Sequence, residues 1–272
     1  MQKFFSALAV LVFLLLIALM VYQENALPPV SDPPVVQTTP RETEPPAPTA
    51  APTAPTETEP PQTSPTEPKE ETLFFAVAQA EAYNQELQQY VTEQTQIDGS
   101  LITLTAIKDG TQFFSGKAES KVAFRYGTFA FRIQTVKNQG LFPAIWMLPI
   151  DADRYPEVDI YEMVGNKPGT IHCGIHFAPY DYAKHFFSHR LDQEQVDGSY
   201  VLKFVWSEEK LEWYVDDGLI GTIDYNVPDI PMYLICNLAI GGSWAGYPPE
   251  SSLPAVFQLE VVQFEPVEIF AR

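Results

Sequence analysis

From residue 100 onward, five short segments share a property that leaves few folds open. SLITLTAI (100–107), TFAFRIQTV (128–136), YVLKFVW (200–206), LEWYVD (211–216) and MYLICNL (232–238) are rich in β-branched, aromatic and aliphatic residues, and several alternate apolar with polar. Alternation with period two places the apolar residues on one face of an extended strand. Asp109-Gly110, Asp197-Gly198 and Asp217-Gly218 separate such segments, and Asp-Gly is a tight-turn signal. No segment after residue 90 reads as a helix of useful length, and no internal repeat is visible. Many short strands with short turns predict an all-β sandwich of two antiparallel sheets over residues 72–272.

The first 71 residues have another character. Lys3 precedes an almost unbroken apolar run from Phe4 to Tyr22, which at about 1.5 Å per residue nearly spans a hydrocarbon core. Residues 1–26 are therefore expected to be a signal-anchor or a signal peptide. The length of the run and the lack of an A-x-A site favour the anchor, and no cysteine is at hand for a lipid. Residues 27–71 hold more than half of the chain's 25 prolines, mixed with Thr, Ala and Glu. Such a composition buries no core, so a disordered, extended linker is expected there. Either N-terminal reading places the remainder outside the cytoplasm, membrane-anchored or secreted.

Thirty-five acidic residues against 16 Lys and Arg give a net charge of -19. Nucleic acids and anionic membrane surfaces would repel such a chain, so membrane contact is expected only through the N-terminal segment. Neutral polymers remain open as partners, and a monomer is expected.

EVDIYEMVG (157–165) carries the chemistry. Val158, Ile160, Tyr161, Met163 and Val164 read as a buried strand, yet Glu157, Asp159 and Glu162 sit among them. Carboxylates in such surroundings cost several kcal/mol each unless paired, hydrogen-bonded or protonated. Glu157 and Asp159 share a face, whereas Glu162 points the other way in a regular strand. One β-bulge between Asp159 and Glu162 restores its facing and lines three acids along one cleft. The two glutamates would then lie about 13 Å apart along the strand. Inward-leaning side chains bring them to roughly the 5–6 Å at which a nucleophile and an acid act in retaining glycosidases. The competing readings are a solvated strand face and a calcium loop, though EVDIYE lacks the turn chemistry of the latter.

The neighbouring motifs favour the catalytic reading. NQELQQY (84–90), YGTFAFRI (126–133), GLFPAIWML (140–148), EVDIYEMVG, TIHCGIH (170–176) and NLAIGGSW (237–244) follow one another in order. Together they resemble the signatures of glycoside hydrolase family 16, and within it the laminarinase-like endo-β-1,3-glucanases, over about Asn84 to Phe270. The resemblance implies a concanavalin-like β-jelly-roll with a concave cleft and retaining hydrolysis of internal β-glucan bonds. It implies Glu157 as nucleophile, Asp159 as its assisting acid and Glu162 as general acid/base. Trp146 and Trp244 would be sugar platforms, since flat aromatic faces suit the C–H faces of pyranose rings. Asn84, Glu86, Arg132, His176 and Asn237 would meet sugar hydroxyls, with a structural strand histidine as the other reading of His176. Trp206 and Trp213 are expected in the core.

The resemblance has gaps. The opening strand of the family is not visible upstream of Asn84, where the chain reads ETLFFAVAQAEAY. Phe142 stands where a tryptophan is usual, Thr128 where an arginine is usual, and Glu260 near the place of an aspartate. No cofactor or catalytic metal is implied, and these changes argue against the structural calcium that some relatives carry. If His172, His176 and Asn237 face the cleft, Cys173 and Cys236 point into the core. Export permits a disulfide between them, but two free buried thiols are expected. The substrate expected is a neutral β-1,3-glucan. A mixed-linkage β-1,3-1,4-glucan, a sulfated galactan, a non-catalytic glucan-binding module and a wall-spacer protein are the rivals.

Overall fold

Sixteen strands realise the alternation in the computed structural model, which describes residues 72–151, 155–177 and 185–272. The segments expected at 1–26 and 27–71 lie outside the described residues. In chain order the strands are β1 (Phe74–Ala76), β2 (Gln88–Tyr90), β3 (Thr95–Asp98), β4 (Leu101–Asp109), β5 (Gln112–Ser115), β6 (Lys117–Ser120), β7 (Val122–Gln134) and β8 (Leu141–Pro149). Then come β9 (Glu157–Met163), β10 (Thr170–His176), β11 (Phe186–Arg190), β12 (Ser199–Trp206), β13 (Leu211–Val215), β14 (Gly218–Ile223), β15 (Met232–Ile240) and β16 (Ala255–Ala271). All five segments read as strands are strands. The single α-helix among the described residues, α1 (Gln193–Asp197), spans five residues and is capped by the Asp192 carboxylate.

The ladders form two layers. In one, β11, β10, β9, β8, β15, β6 and β1 lie side by side. In the other, β14, β13, β12, β7, β16, β4 and β3 do so. Apart from β2 pairing with β5, every ladder is antiparallel, and the layers meet at the pair Met232–Phe124 between β15 and β7. Side chains from both layers interdigitate. Tyr161 of β9 stacks on Phe257 of β16 with centroids 5.8 Å apart, and Phe187 of β11 meets the edge of Trp213 of β13 at 5.2 Å. Trp206 and Trp213 are buried in this core, as expected. A fully buried aromatic contributes on the order of 2–3 kcal/mol by area, which is why face-to-face packing holds the layers together.

Two features differ from the sequence reading or complete it. The opening strand exists as β1, three residues inside the unpromising FFAVA stretch, paired with β6. Cys173 and Cys236 are both free and buried, and the Cys173 thiol donates to the Ile160 carbonyl at 3.2 Å.

Candidate active site

The bulge expected in EVDIYEMVG is present. On β10, His172 faces Glu162 and Gly174 faces Asp159, so Cys173 alone stands opposite Ile160 and Tyr161. The same slip appears against β8, where Ile145 pairs with Tyr161 and the next residue, Trp146, pairs with Asp159. Ile160 and Tyr161 both turn into the core, fully buried. That extra inward residue returns Glu162 to the face occupied by Glu157 and Asp159. The three carboxylates line one cavity of about 240 Å³, with Trp146, Phe142, Ala144 and Leu148 from β8 along its floor. These four alternate along β8, as period two requires.

Electrostatics separates the acids. Burial pushes the Glu162 carboxyl well above the usual carboxylate range, and the charges of Asp159 and Glu157 push it further. Glu162 therefore holds its proton to higher pH than a free glutamate. Asp159 is 2% exposed, and burial raises it too, partly offset by His176. The His176 Nε2 lies 3.2 Å from Asp159 Oδ2 and 4.0 Å from Glu157 Oε1, and its ring rests on Phe186 at 4.4 Å. His176 thus sits against the acids, and its ring is held from behind.

The NQELQQY segment forms the cavity's wall through its backbone and one glutamine. Asn84 and Gln85 adopt left-handed backbone (φ 52° and 63°), a turn that asparagine tolerates better than most residues. Leu87 N–H then bonds to the Ile240 carbonyl, and Ser243 N–H to that of Asn84. Gln88, 1% exposed, accepts from Ile240 N–H at 2.7 Å and donates to Glu86 at 2.7 Å. Burial raises the Glu86 carboxyl despite that hydrogen bond. Tyr90 closes the segment, its hydroxyl accepting from Asn237 Nδ2 at 3.0 Å.

Asn237 lines the cavity as expected, and it has a second task. Its Oδ1 accepts from Trp146 Nε1 at 2.7 Å, so one amide fixes the indole and ties it to Tyr90. Trp244 lies at the rim, 45% exposed, with its ring edge-on to Phe142 at 5.1 Å and to His172 at 4.9 Å. Its loop needs glycine. Gly241 and Gly242 have φ of 80° and 99°, and a Cβ on Gly241 would lie 2.9 Å from Leu87.

Arg132 is a correction. The structure places it on β7 in the other layer, paired across strands with Val201 and Glu260. Its guanidinium makes an ion pair with Glu260 at 2.5 Å. It does not line the cavity that holds Glu157, Asp159 and Glu162. Glu260, which stood near a family aspartate, is engaged by this pair.

Several cavity residues escaped the sequence reading: Gln79, Tyr83, Tyr90, Lys117, Ala144 and Leu148. Lys117 is 8% exposed, bonded to Gln79 at 2.9 Å and to Glu119 at 2.9 Å. The available signal was alternation, since Lys117 and Glu119 in GKAES share a face. Its polar composition concealed a buried strand.

A family model described as glycosyl hydrolases family 16 matches residues 79–255. The chain belongs to that family. It is 29% identical over 218 residues to the glucan endo-1,3-beta-glucosidase A1 of Niallia circulans, covering 66% of this chain and 32% of that protein. It is 30% identical over 198 residues to a beta-glucanase of Rhodothermus marinus, covering 60% and 67%. The laminarinase of Flavobacterium sp. UMI-01 superposes with a TM-score of 0.63 at 26% identity, covering 72% of this chain and 96% of that one. The fold is thus the family's β-jelly-roll. The chain spans about a third of the length of the Niallia protein.

Proposed function

We propose that this glycoside hydrolase is a retaining endo-β-glucanase that cleaves internal β-1,3-glucosidic bonds by a two-glutamate double displacement. The observation that carries it is the bulge at Ile160 and Tyr161, which returns Glu162 to the face of Glu157 and Asp159 in one cavity. Glu162, held protonated by burial and by its anionic neighbours, gives its proton to the leaving glycosidic oxygen. Glu157 attacks the anomeric carbon, forming the glycosyl-enzyme bond as the C–O bond breaks. The Glu162 carboxylate then takes a proton from water, which displaces Glu157 and restores both groups with net retention. Asp159, on the same face between them, adds its charge to that of Glu157 in raising Glu162. Trp146 is the platform beneath the reacting sugar, Trp244 a rim platform, and Asn84, Glu86, His176 and Asn237 the hydroxyl partners.

The β-1,3 preference rests on the named activity of the Niallia relative. A mixed-linkage specificity is the second reading, supported by two Rhizobium meliloti relatives named endo-1,3-1,4-beta-glycanases, each 30% identical. A beta-1,3-glucan-binding protein of Penaeus monodon is also 30% identical, over 170 residues. The three acids gathered in the cavity favour catalysis over binding alone. The apolar run of residues 4–22 and the proline-rich stretch after it support an extracytoplasmic, membrane-anchored or secreted enzyme, and the net charge of -19 supports a neutral polymer as its substrate.

The test is product analysis on laminarin, lichenan, cellulose, agarose and carrageenan in parallel. Oligosaccharide release from laminarin faster than from lichenan, with cellulose untouched, is the expected result. Faster release from lichenan supports the mixed-linkage reading. No new reducing ends from any polymer, with laminarin still bound, overturns catalysis.

A further inference from the structure

Trp244 stands at the rim, yet it is not among the residues that line the cavity holding the acids. What it touches is Phe142 on β8, with ring centroids 5.1 Å apart, and His172 on β10, at 4.9 Å. Those two strands flank β9 on either side, so they run about 9–10 Å apart. An indole that meets both rings therefore spans β9. The register gives the level at which it does so. His172 stands directly across from Glu162 on one side, and Ala144 stands across from it on the other. Phe142 lies two residues from Ala144 and shares its face. The indole thus bridges the stretch from Glu162 to Val164.

That corner is dry. Val164 is 1% exposed, although it is no part of the core between the layers. The His172 Nδ1 lies 2.8 Å from the Ser188 hydroxyl, while its Nε2 is buried and has no hydrogen-bond partner among the described residues. A buried polar atom left unpaired is rare and needs a reason. Its neighbour supplies one: whatever keeps water from Nε2 also keeps it from Glu162, directly across the ladder. The indole is held by its own loop, where Gly241 N–H bonds to the Gly140 carbonyl and Ser243 N–H to that of Asn84. Glu162 remains open on the cavity side, where the sugar arrives.

We propose that Trp244, backed by Phe142 and His172, is a positioning residue that caps Glu162 and keeps water from the carboxyl that protonates the leaving oxygen. The inference rests on reading Glu162 as the general acid. Burial penalises the charged form of a carboxyl, and burial is the first cause that raises Glu162. Wetting the corner therefore lowers the acid, so that activity is lost at lower pH as pH rises. Other groups near Glu162 also titrate. Glu157 and Asp159 share its strand face, β10 brings His172 and His176, and Cys173 lies behind in the core. Across the cavity stand Glu86, Lys117 and the Tyr83 and Tyr90 phenols, whereas β8 brings only uncharged side chains. Burial and the Lys167 charge hold His172 below its usual value. The test must therefore read the Glu162 carboxyl itself.

The experiment compares the full chain with Trp244→Ala and Trp244→Phe by two measurements. The kcat/KM for laminarin is followed across pH, since its alkaline limb reports the acid of the free enzyme. The Glu162 carboxyl is titrated by NMR of glutamate labelled at the carboxyl carbon, its signal assigned by its loss in Glu162→Gln. Trp244→Ala should move both the limb and the titration to lower pH. On the limb, kcat/KM relative to its optimum should fall about threefold or more. Trp244→Phe keeps an apolar ring in place and should move both less. Phe142→Ala removes one support of the cap and should move both in the same direction, so it decides if Trp244→Ala does not fold. A fall in kcat/KM at every pH, with limb and titration unchanged, makes Trp244 a sugar platform only and overturns the proposal. A limb that moves while the carboxyl titration stays belongs to another group and overturns it too. A carboxyl titration that moves without the limb upholds the cap and overturns Glu162 as the acid.

Discussion

Replacing Asn237 by leucine should separate the stability of the cleft from its affinity for substrate. Leucine keeps the branched shape of asparagine and none of its polar atoms, so two hydrogen bonds vanish, and its bulkier methyl groups add crowding to that loss. The Tyr90 hydroxyl loses its 3.0 Å partner inside a residue only 6% exposed, and Trp146 Nε1 loses its 2.7 Å acceptor. A buried polar group left unsatisfied costs about 1–3 kcal/mol, and a net hydrogen bond whose donor can turn to water costs about 0.5–1.5 kcal/mol. Trp146 is half-buried and belongs to the second class. The hydrogen bonds alone come to about 1.5–4.5 kcal/mol, a large share of the roughly 5–15 kcal/mol that holds a domain folded, so the variant should fold but melt early. The freed indole also ceases to be a fixed platform. A well-placed aromatic contact is worth about 0.5–1.5 kcal/mol, which translates into a rise in KM for laminarin of about 2- to 12-fold, with kcat less affected. Urea titration followed by tryptophan fluorescence gives the first quantity, and steady-state kinetics the second. Tyr90→Phe is the control, since it removes the Asn237–Tyr90 bond but keeps the Asn237–Trp146 bond, and should leave KM near wild type. A stability loss below about 0.5 kcal/mol, or an unchanged KM in a variant destabilised as expected, would refute the claim that Asn237 works through Trp146.

Two further outcomes follow from the site. Glu157→Ala and Glu162→Ala should each lose several orders of magnitude in turnover, so stereochemistry must assign the roles. With azide and an activated β-glycoside, Glu157→Ala should yield the α-azide by direct attack, and Glu162→Ala the β-azide through the glycosyl-enzyme. Swapped products would reverse the assignment, and near-normal polysaccharide hydrolysis by either variant would end it. Arg132→Ala should lose less than about 1 kcal/mol of stability, because its partner Glu260 is itself part-exposed. Its kcat/KM should match wild type within error, and a tenfold or larger fall would return Arg132 to the cleft.

The bulge was legible from the chain alone because the chemistry over-constrained it. Three acids inside an apolar strand either stand exposed or share a lined cavity, and a strict period of two cannot put Glu157, Asp159 and Glu162 on one side. The misplaced residue failed for a different reason. Strand parity places Thr128, Ala130 and Arg132 on one face of β7, but parity does not say which layer β7 joins. That depends on pairing with β12 and β16, and Glu260, the residue opposite Arg132, is 128 positions away. Lys117 and Glu119 are buried for the same kind of reason. Their strand lies between β15 and β1, and Gln79 from the chain's entry reaches Lys117. Local composition reports the solvent a segment would choose by itself, and KAES by itself would choose water. A buried ion pair needs partners to fall into place together, which makes it informative about a fold only once the fold is known. The acids of β9 differ because their cost had to be met within six residues of one strand, and a device that local is open to reading from sequence.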